Sequence, residues 1–225
     1  MPATGSLADD TFSELEVTNG FSLSSHSRFG YLKAVIAPFW GVDHSSFRVR
    51  LMGGYGTYPA WGGRAGTGLS EIMPGYALYR QRWGVTGYAG LVGDGHDTPD
   101  PLAQKTGTKV GVSVLIEPYV SITDNLLASG WVGWRSPYMS LETAVSLTYT
   151  ATPRFQAKAE AVYFRDDHYE AFRVTGGVGY AVTPRTRLWA HLGVEAPQSG
   201  TDETSFAARF EIVTRPRGRP WRYWD

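Results

Sequence analysis

Polar and apolar residues alternate along almost the whole chain, in segments of about ten residues. In FRVTGGVGYAV, Phe172, Val174 and Val178 share one parity, and Arg173 and Thr175 share the other. Successive side chains of a β-strand point to opposite faces, so this pattern predicts a strand with one apolar and one polar face. Repeated segments of this length and pattern are the signature of a transmembrane β-barrel.

About twelve such segments follow one another. They run approximately over 12–24, 29–42, 46–58, 69–81, 83–93, 107–120, 125–135, 138–150, 154–165, 169–182, 186–195 and 204–214. The longer connections, at 59–68, 94–107 and 196–203, are the third, fifth and eleventh, all odd-numbered. A barrel with both termini in the periplasm has short inner turns and longer external loops. The chain is therefore predicted to be all-β, an antiparallel up-and-down transmembrane barrel of about twelve strands with periplasmic termini.

This interpretation divides the chain into an N-terminal periplasmic segment (1–11), the outer-membrane barrel (12–214) and a C-terminal periplasmic tail (215–225). The last strand is expected to end near Val213. The sequence TRPRGRPWRYWD that begins at Thr214 contains two prolines and four arginines, which suit a membrane strand poorly. Outer-membrane barrels usually end in a strand closed by Phe or Trp. Either WRYW provides that assembly signal from a displaced position, or the tail has a partner of its own.

The composition narrows the classes of function. The chain has 27 Gly, 13 Tyr, 8 Trp and no Cys, and its 21 basic residues balance 21 acidic ones. Gly and aromatic residues favour β-structure over helices. Disulfides and thiolate metal sites are excluded, and no overall field attracts nucleic acid. No cofactor is expected, and none of the five histidines has a metal-binding spacing.

The sequence shows no targeting signal that would identify the protein's compartment. No apolar run approaches the roughly 20 residues of a transmembrane helix. The opening residues, MPATGSLADDTF, lack the charged and apolar regions of a secretory signal. A mature chain given an initiator Met and a cytoplasmic protein are both compatible with this start.

The polar parity carries charges of both signs. We count seven basic and eight acidic residues there, including Glu14, Glu16, Glu142, Arg187 and Glu195. Unpaired buried charges are costly, so a balanced set predicts cross-strand ion pairs inside a narrow, hydrated lumen. The residues predicted to line this lumen, as a path for glycans or ions, are Arg48, Arg50, Glu71, Tyr88, Lys109, Glu117, Trp131, Lys158, Glu160, Arg173, Trp189, Arg209 and Glu211. The lumen-facing aromatic rings either contact sugars or simply fill space.

A soluble sandwich or lipocalin-like binding barrel is the main alternative fold. Its polar parity would face water, whereas here that parity is rich in Gly and small residues, which suit a crowded lumen better. Tyr and Trp also cluster near predicted strand ends, as in the aromatic girdles of membrane barrels. These residues are Tyr58, Trp61, Tyr79, Trp83, Tyr119, Trp134, Tyr138, Tyr149, Tyr163 and Tyr169.

Two groups of residues are candidates for chemistry. An outer-membrane lipid hydrolase uses a Ser and a His on the barrel wall, and His191 could meet Ser205 or Glu211 from a neighbouring strand. The segment DGHDTPDPLAQ, which begins at Asp94 and includes His96, is rich in oxygen ligands. It could bind Ca²⁺ weakly or bridge lipopolysaccharide through divalent ions, or it is an ordinary Asp–Pro turn loop.

Several segments resemble the cellulose biosynthesis protein BcsS family of alphaproteobacterial outer membranes. They are FRVRLMGGYGTY (47–58), MPGYALYRQRWGVTGYAGL (73–91), HDTPDP (96–101) and GVSVLIEPYVSITDNLLASGWVGW (111–134), with a weaker continuation through 147–180. The resemblance implies an outer-membrane barrel associated with cellulose biosynthesis and exopolysaccharide secretion, as a channel or structural component. The partners it implies are outer-membrane lipid or lipopolysaccharide, cellulose or cello-oligosaccharide, and other cellulose-secretion proteins.

Overall fold

The computed structural model describes residues 14–25, 27–38, 45–60, 63–98, 106–167, 170–197 and 204–217. The strands of this part of the chain are β1 (Glu14–Ser24), β2 (Arg28–Ala37), β3 (Ser46–Ala60), β4 (Gly63–Tyr79), β5 (Trp83–Asp97), β6 (Gly107–Thr123), β7 (Leu126–Arg135), β8 (Ser140–Thr152), β9 (Phe155–Arg165), β10 (Glu170–Thr183), β11 (Thr186–Pro197) and β12 (Ser205–Arg217). A single 3₁₀ turn over Pro137–Met139 connects β7 to β8.

The strands form a closed antiparallel barrel in which each pairs with its neighbours in chain order. Phe21 of β1 stands opposite Phe210 of β12, which closes the ring. Closure removes the sheet edges, so the ladder satisfies the backbone groups without water. The predicted fold, an antiparallel barrel of twelve strands, is confirmed. No helix in the described part of the chain has the length and hydropathy that a membrane span requires.

The outer face of the barrel is apolar and the inner face polar. Val112, Val178 and Leu192 point outward and are about half exposed. Glu160 and Thr175 point inward and are buried. A soluble barrel has the opposite arrangement, with its apolar residues inside. The lipocalin-like alternative is therefore wrong, and the apolar face suits a lipid environment.

Exposed aromatic residues on the outer face lie near both ends of the barrel. Near the end that holds the start of β1 they are Phe47, Tyr76, Trp83, Tyr149, Phe155 and Tyr180, and towards the other end Tyr55, Phe172 and Phe206. Such belts are typical of membrane barrels.

Part of the predicted girdle faces inward instead. Four of its residues contact other groups inside the barrel: Tyr58, Tyr79, Tyr119 and Tyr138. The first three lie on the polar face of their strands, and the fourth lies in the turn between β7 and β8, which folds back into the barrel. Position near a strand end does not by itself decide which face a ring takes. Trp61 and Tyr169 lie outside the described residues.

The third connection differs from the prediction of a long loop over 59–68. β3 and β4 remain paired through Tyr58↔Ala65, Pro59↔Arg64 and Ala60↔Gly63. The Gly-, Pro- and Ala-rich sequence there continues the ladder as a long hairpin. β5 likewise runs on to Asp97, so Asp94 belongs to a strand and not to the predicted loop.

The last strand also extends beyond its predicted end near Val213. β12 continues to Arg217, which pairs with Leu15 of β1, so the predicted boundary at 214 falls inside the strand. The register shifts between Leu15 and Val17, where β12 holds one extra residue. A bulge of this kind accommodates Pro216, which has no N–H to offer the ladder. Residues 1–13 and 218–225 lie outside the described residues.

Candidate functional site in the barrel lumen

The barrel encloses a cavity of about 670 Å³. Its lining includes Glu16 and Arg187 near one end of the barrel, and Arg28 and Asp94 near the other. The cavity therefore extends along the barrel axis. Ten of the residues predicted for the lumen line it: Arg50, Glu71, Glu117, Trp131, Lys158, Glu160, Arg173, Trp189, Arg209 and Glu211.

The other three predicted residues do not line the cavity. Arg48 is buried, with its guanidinium 5.0 Å from the centre of the Tyr79 ring. Tyr88 is covered by its neighbours in an internal apolar cluster. Lys109 keeps the inward parity of β6, but it is exposed because it stands two residues from the strand's first residue, at the rim. Its amine lies 4.2 Å from the centre of the Tyr138 ring.

One ion-pair network joins β3, β4, β7 and β8. Glu71 has an almost fully buried carboxylate, with Arg50 at 2.5 Å and Arg135 at 2.8 Å. The Ser113 hydroxyl donates a third hydrogen bond to it at 3.1 Å. Arg135 continues to Glu142 at 3.4 Å. Two guanidiniums and a hydroxyl thus compensate the carboxylate for the water it has lost.

A second network lies on the opposite wall, across β9, β12 and β2. Glu160 is bound by Lys158 and by Arg209, each at 2.6 Å. Arg209 also lies 3.6 Å from Glu211, whose carboxylate accepts a hydrogen bond from the Tyr31 hydroxyl. The charges alternate in sign along this network, so each ion has an opposite neighbour.

Smaller ion pairs extend this arrangement towards both ends of the lumen. Arg173 donates to Glu195, with its Nε 2.8 Å from the carboxylate, and to the Ser22 hydroxyl at 2.8 Å. Arg215 donates to Glu16 at 3.1 Å. Among the described residues, the cavity lining carries eight basic and nine acidic side chains. The near balance that the sequence predicted is therefore present in space.

Two residues of the ion-pair networks, Arg135 and Tyr31, are not among the lumen residues predicted from the alternation. Arg135 is the last residue of the seventh predicted segment and shares the parity of Trp131, so continuing the alternation to the strand end would have found it. Tyr31 lies on the same face of β2 as Lys33, so the charged residue of that strand would have indicated its inward position. Its hydroxyl gives it a polar end that an inward position can use.

Inward aromatic rings lie over glycines of the neighbouring strand. A Cβ on Gly179 would stand 2.8 Å from three atoms of the Trp189 indole, so the ring face covers the glycine. Gly20 is covered by Tyr31 and Gly177 by His191 in the same way. Glycine on the polar parity therefore lets large rings rest against the wall and leaves the centre of the lumen open.

An apolar patch interrupts the polar lining on one wall. Met73, Tyr88 and Leu115 form a buried cluster, and Trp131 packs against it. Leu115 and Trp131 also face the cavity. The lumen therefore offers both ring faces and ionic groups.

A tyrosine–histidine cluster lies at the end of the barrel away from the start of β1. His96 lies 3.0 Å from the Tyr58 hydroxyl and 3.4 Å from Asp94. The Tyr138 ring meets the His96 ring edge-on at 4.4 Å between centroids. His96 is buried, contrary to the expectation of a surface loop, because β5 extends further than predicted. Asp100 lies outside the described residues.

Tyr138 is held in this cluster by the connection between β7 and β8. Its backbone and that of Met139 have positive φ angles of 52° and 48°. The Tyr138 hydroxyl donates to the Gly107 carbonyl at 2.6 Å. Burial, with a smaller effect of the nearby Asp94 charge, raises the pKa of the Tyr138 phenol, which stays protonated and able to donate.

The structure does not bring the predicted hydrolase residues His191 and Ser205 together. His191 stands opposite Arg209, whereas Ser205 stands opposite Glu195 and lies four residues before Arg209 on β12. At about 3.3 Å per residue this separates them by roughly 13 Å. Glu211 does approach His191, at 3.7 Å, so only the acidic neighbour of the predicted pair is near. No group of residues suited to a metal ion occurs among the described residues.

No protein-family model matches the sequence, and no curated protein matches it. Solved structures do. A KdgM porin has 8% identity and a TM-score of 0.58, with 88% of this chain and 98% of that chain covered. The translocator domain of the autotransporter NalP from Neisseria meningitidis has 11% identity and a TM-score of 0.53, with 92% and 90% covered. A deletion mutant of the monoaromatic hydrocarbon channel TodX has 8% identity and a TM-score of 0.54, with 90% and 88% covered.

The fold is that of an outer-membrane β-barrel. At these identities the likeness concerns the architecture alone, which porins, hydrocarbon channels and autotransporter translocators share.

Proposed function

We propose that the protein is a narrow outer-membrane channel whose charge-balanced lumen favours small polar solutes without net charge. The observation that carries this proposal is the pairing of the lumen charges. Glu71 and Glu160 each bind two cations, and their carboxylates are almost fully buried. A permeating ion of either sign would have to compete with these pairs, whereas a neutral solute meets fixed donors and acceptors.

The size of the cavity supports the same proposal. Its volume of about 670 Å³ falls in the range of sites for small molecules, roughly 300–1,000 Å³. Barrels of sixteen or more strands enclose wide aqueous channels, whereas eight-stranded barrels are filled by side chains. A barrel of twelve strands, with its inward rings lying flat on glycines, leaves a passage of intermediate width that is narrow enough to select among solutes.

The proposed location is the outer membrane, with the two terminal strand ends in the periplasm. The start of β1 and the end of β12 share one end of the barrel. β3, β4, β5 and β6 are 15 to 17 residues long and extend towards the other end of the barrel. About 9–11 residues suffice to cross the bilayer, so these strands would project beyond it, as external hairpins do. Lipid and lipopolysaccharide would contact the apolar outer face.

A more specific proposal concerns the pathway. The resemblance to the BcsS family supports a role in bacterial cellulose biosynthesis or secretion, as a channel or structural component of the export machinery. Cello-oligosaccharides would then be solutes of the lumen, and other secretion proteins would dock at the periplasmic end. This part depends on the sequence resemblance, and the channel proposal does not need it.

Conductance in planar bilayers tests the channel proposal. We expect small single-channel currents in KCl and a reversal potential near zero across a KCl gradient, because the lumen charges balance. Proteoliposomes should swell in glucose or cellobiose and swell much less in the corresponding uronic acids. Folded protein that gives neither current nor swelling would refute the channel proposal.

Cellulose output in a secreting bacterium tests the more specific proposal. Deleting the gene in its native host should reduce the cellulose released, and the wild-type chain should restore it. Unchanged release would leave the channel proposal intact and remove its link to cellulose.

A further inference from the structure

Two aromatic rings flank a charged pair on the wall formed by β11, β12, β1 and β2. Trp189 stands opposite Glu211, Glu211 opposite Gly20, and Gly20 opposite Tyr31. These four residues occupy one row across four successive strands. Arg209 lies two residues before Glu211, on the same face of β12.

Both rings present a face to the lumen. The Trp189 indole covers Gly179 and the Tyr31 ring covers Gly20, so each lies against the wall. Both side chains line the cavity. The backbones of β11 and β2 are three strand spacings apart, about 14 Å. The Tyr31 ring crosses β1 so that its hydroxyl reaches Glu211, which places the charged pair beside both rings.

The polar groups between the rings are fixed in direction. Glu211 accepts the Tyr31 hydroxyl hydrogen and lies 3.6 Å from Arg209, which also binds Glu160 at 2.6 Å. The side chains of Arg209 and Glu211 keep 12% and 15% of their exposure. A guanidinium and a carboxylate at the edge of a cavity therefore offer donors and acceptors to the same ligand.

We propose that Trp189, Tyr31, Arg209 and Glu211 form a binding subsite for one pyranose ring of an uncharged saccharide. A pyranose has a C–H face, which packs on an aromatic ring, and equatorial hydroxyls that bond to guanidinium and carboxylate together. This inference rests on the proposed channel and adds the class of solute and its position.

Other ligand classes fit this wall less well. The positive charge of Arg209 is already shared between two carboxylates, so an acidic sugar gains little there and meets Glu211. An aromatic hydrocarbon would cover both charged groups without bonding to them, which is costly. An uncharged saccharide satisfies both the rings and the ions.

Titration calorimetry of the detergent-solubilised protein tests the subsite, with cellohexaose as the probe. Galacturonate oligomers and toluene provide the charged and apolar comparisons. We expect W189A to weaken cellohexaose binding by about tenfold or more, the loss of one aromatic platform. W189F, which keeps a ring, should retain most of the affinity. The matched control is W134A, because Trp134 shares the outward parity of Val132 on β7.

The possible results separate the two proposals. Cellohexaose binding that W189A weakens by about tenfold or more and W134A leaves intact supports the subsite, whether or not the barrel conducts. Folded wild-type protein that conducts but binds no cellohexaose overturns the subsite and leaves the channel. Equal affinity in wild type and W189A, or tighter binding of galacturonate oligomers or toluene, also overturns it. Heat-modifiable mobility on gels confirms that each variant is folded.

Discussion

Arg50 and Arg135 bind the two oxygens of the Glu71 carboxylate, Arg50 at Oε2 and Arg135 at Oε1. The arginines come from β3 and β7, so one carboxylate joins strands that are far apart around the barrel. The Glu71 side chain is 1% exposed. A carboxylate removed from water to this extent is stable inside the lumen because cations surround it.

Replacing this carboxylate should destabilise the barrel strongly. E71Q leaves the buried Arg50 guanidinium without its counter-ion and Arg135 with Glu142 alone, and removing one partner of a buried ion pair costs about 3–5 kcal/mol. We expect the free energy of unfolding to fall by about that amount, measured by urea titration in lipid vesicles. E117Q is the control, since no ion pair to Glu117 is found among the described residues. It should cost less than about 1 kcal/mol. Equal losses for E71Q and E117Q would mean that the network is not structural.

Removing a single charge from the lumen should shift its ion selectivity, and the direction should depend on the sign of the charge removed. R173Q removes the cation from Glu195, so the lumen gains net negative charge and should favour K⁺ over Cl⁻. K158Q should act in the same direction, and E211Q should favour Cl⁻. Reversal potentials across a KCl gradient measure the effect, which should weaken at high salt as screening increases. A common sign of shift for R173Q and E211Q would contradict the proposed balance.

Adding a methyl group beneath Trp189 should narrow the lumen. In G179A the new Cβ occupies the place of the indole, which can move only towards the open cavity. We expect a lower single-channel conductance, with a loss in stability of about 1–3 kcal/mol if the ring cannot move fully. G176A is a matched control three residues earlier on the same strand, because a Cβ there meets nothing within 4 Å. Unchanged conductance for a folded G179A would show that the indole does not border the conducting path.

Period-two alternation predicted most of the fold. Strands β7, β9 and β10 begin and end close to the predicted positions, because each has an apolar and a polar face and a short turn at its ends. The alternation also placed Arg50, Lys158 and Glu160 in the lumen. The alternation could not predict ion pairs between distant strands, such as Arg135 with Glu71, because these depend on the closure of the barrel and on the length of the side chains.

Glycine and proline were the misleading signals. The segment 59–68 reads as a loop because these residues usually mark turns, yet here it continues a hairpin. A glycine inside a strand usually marks a bulge or a bend. Gly179 instead makes room for a ring on the next strand, a relationship that appears only once the register is known.

Removing the Tyr138 side chain should open the end of the lumen near His96. The backbone there has a positive φ of 52°, which glycine adopts without strain, so Y138G should preserve the turn. We expect higher conductance, because the ring that packs against His96 is gone. Y138F keeps the ring and loses the hydroxyl's bond to the Gly107 carbonyl, so it should cost about 1 kcal/mol of stability and leave conductance unchanged. Equal conductance in Y138G and Y138F would place the narrowest point elsewhere.

A charge on the outer face should reveal which strand positions meet lipid. Val178 lies in the middle of β10 and faces outward, about half exposed. V178R should lower the free energy of unfolding in vesicles by about 2–4 kcal/mol, the cost of arginine near the bilayer midplane. Val110 lies near the start of β6, on the same face and at the end where the long strands project, so V110R should cost no more than about 1 kcal/mol. A similar loss for both variants would mean that the apolar face is not divided into a lipid-covered belt and a projecting end.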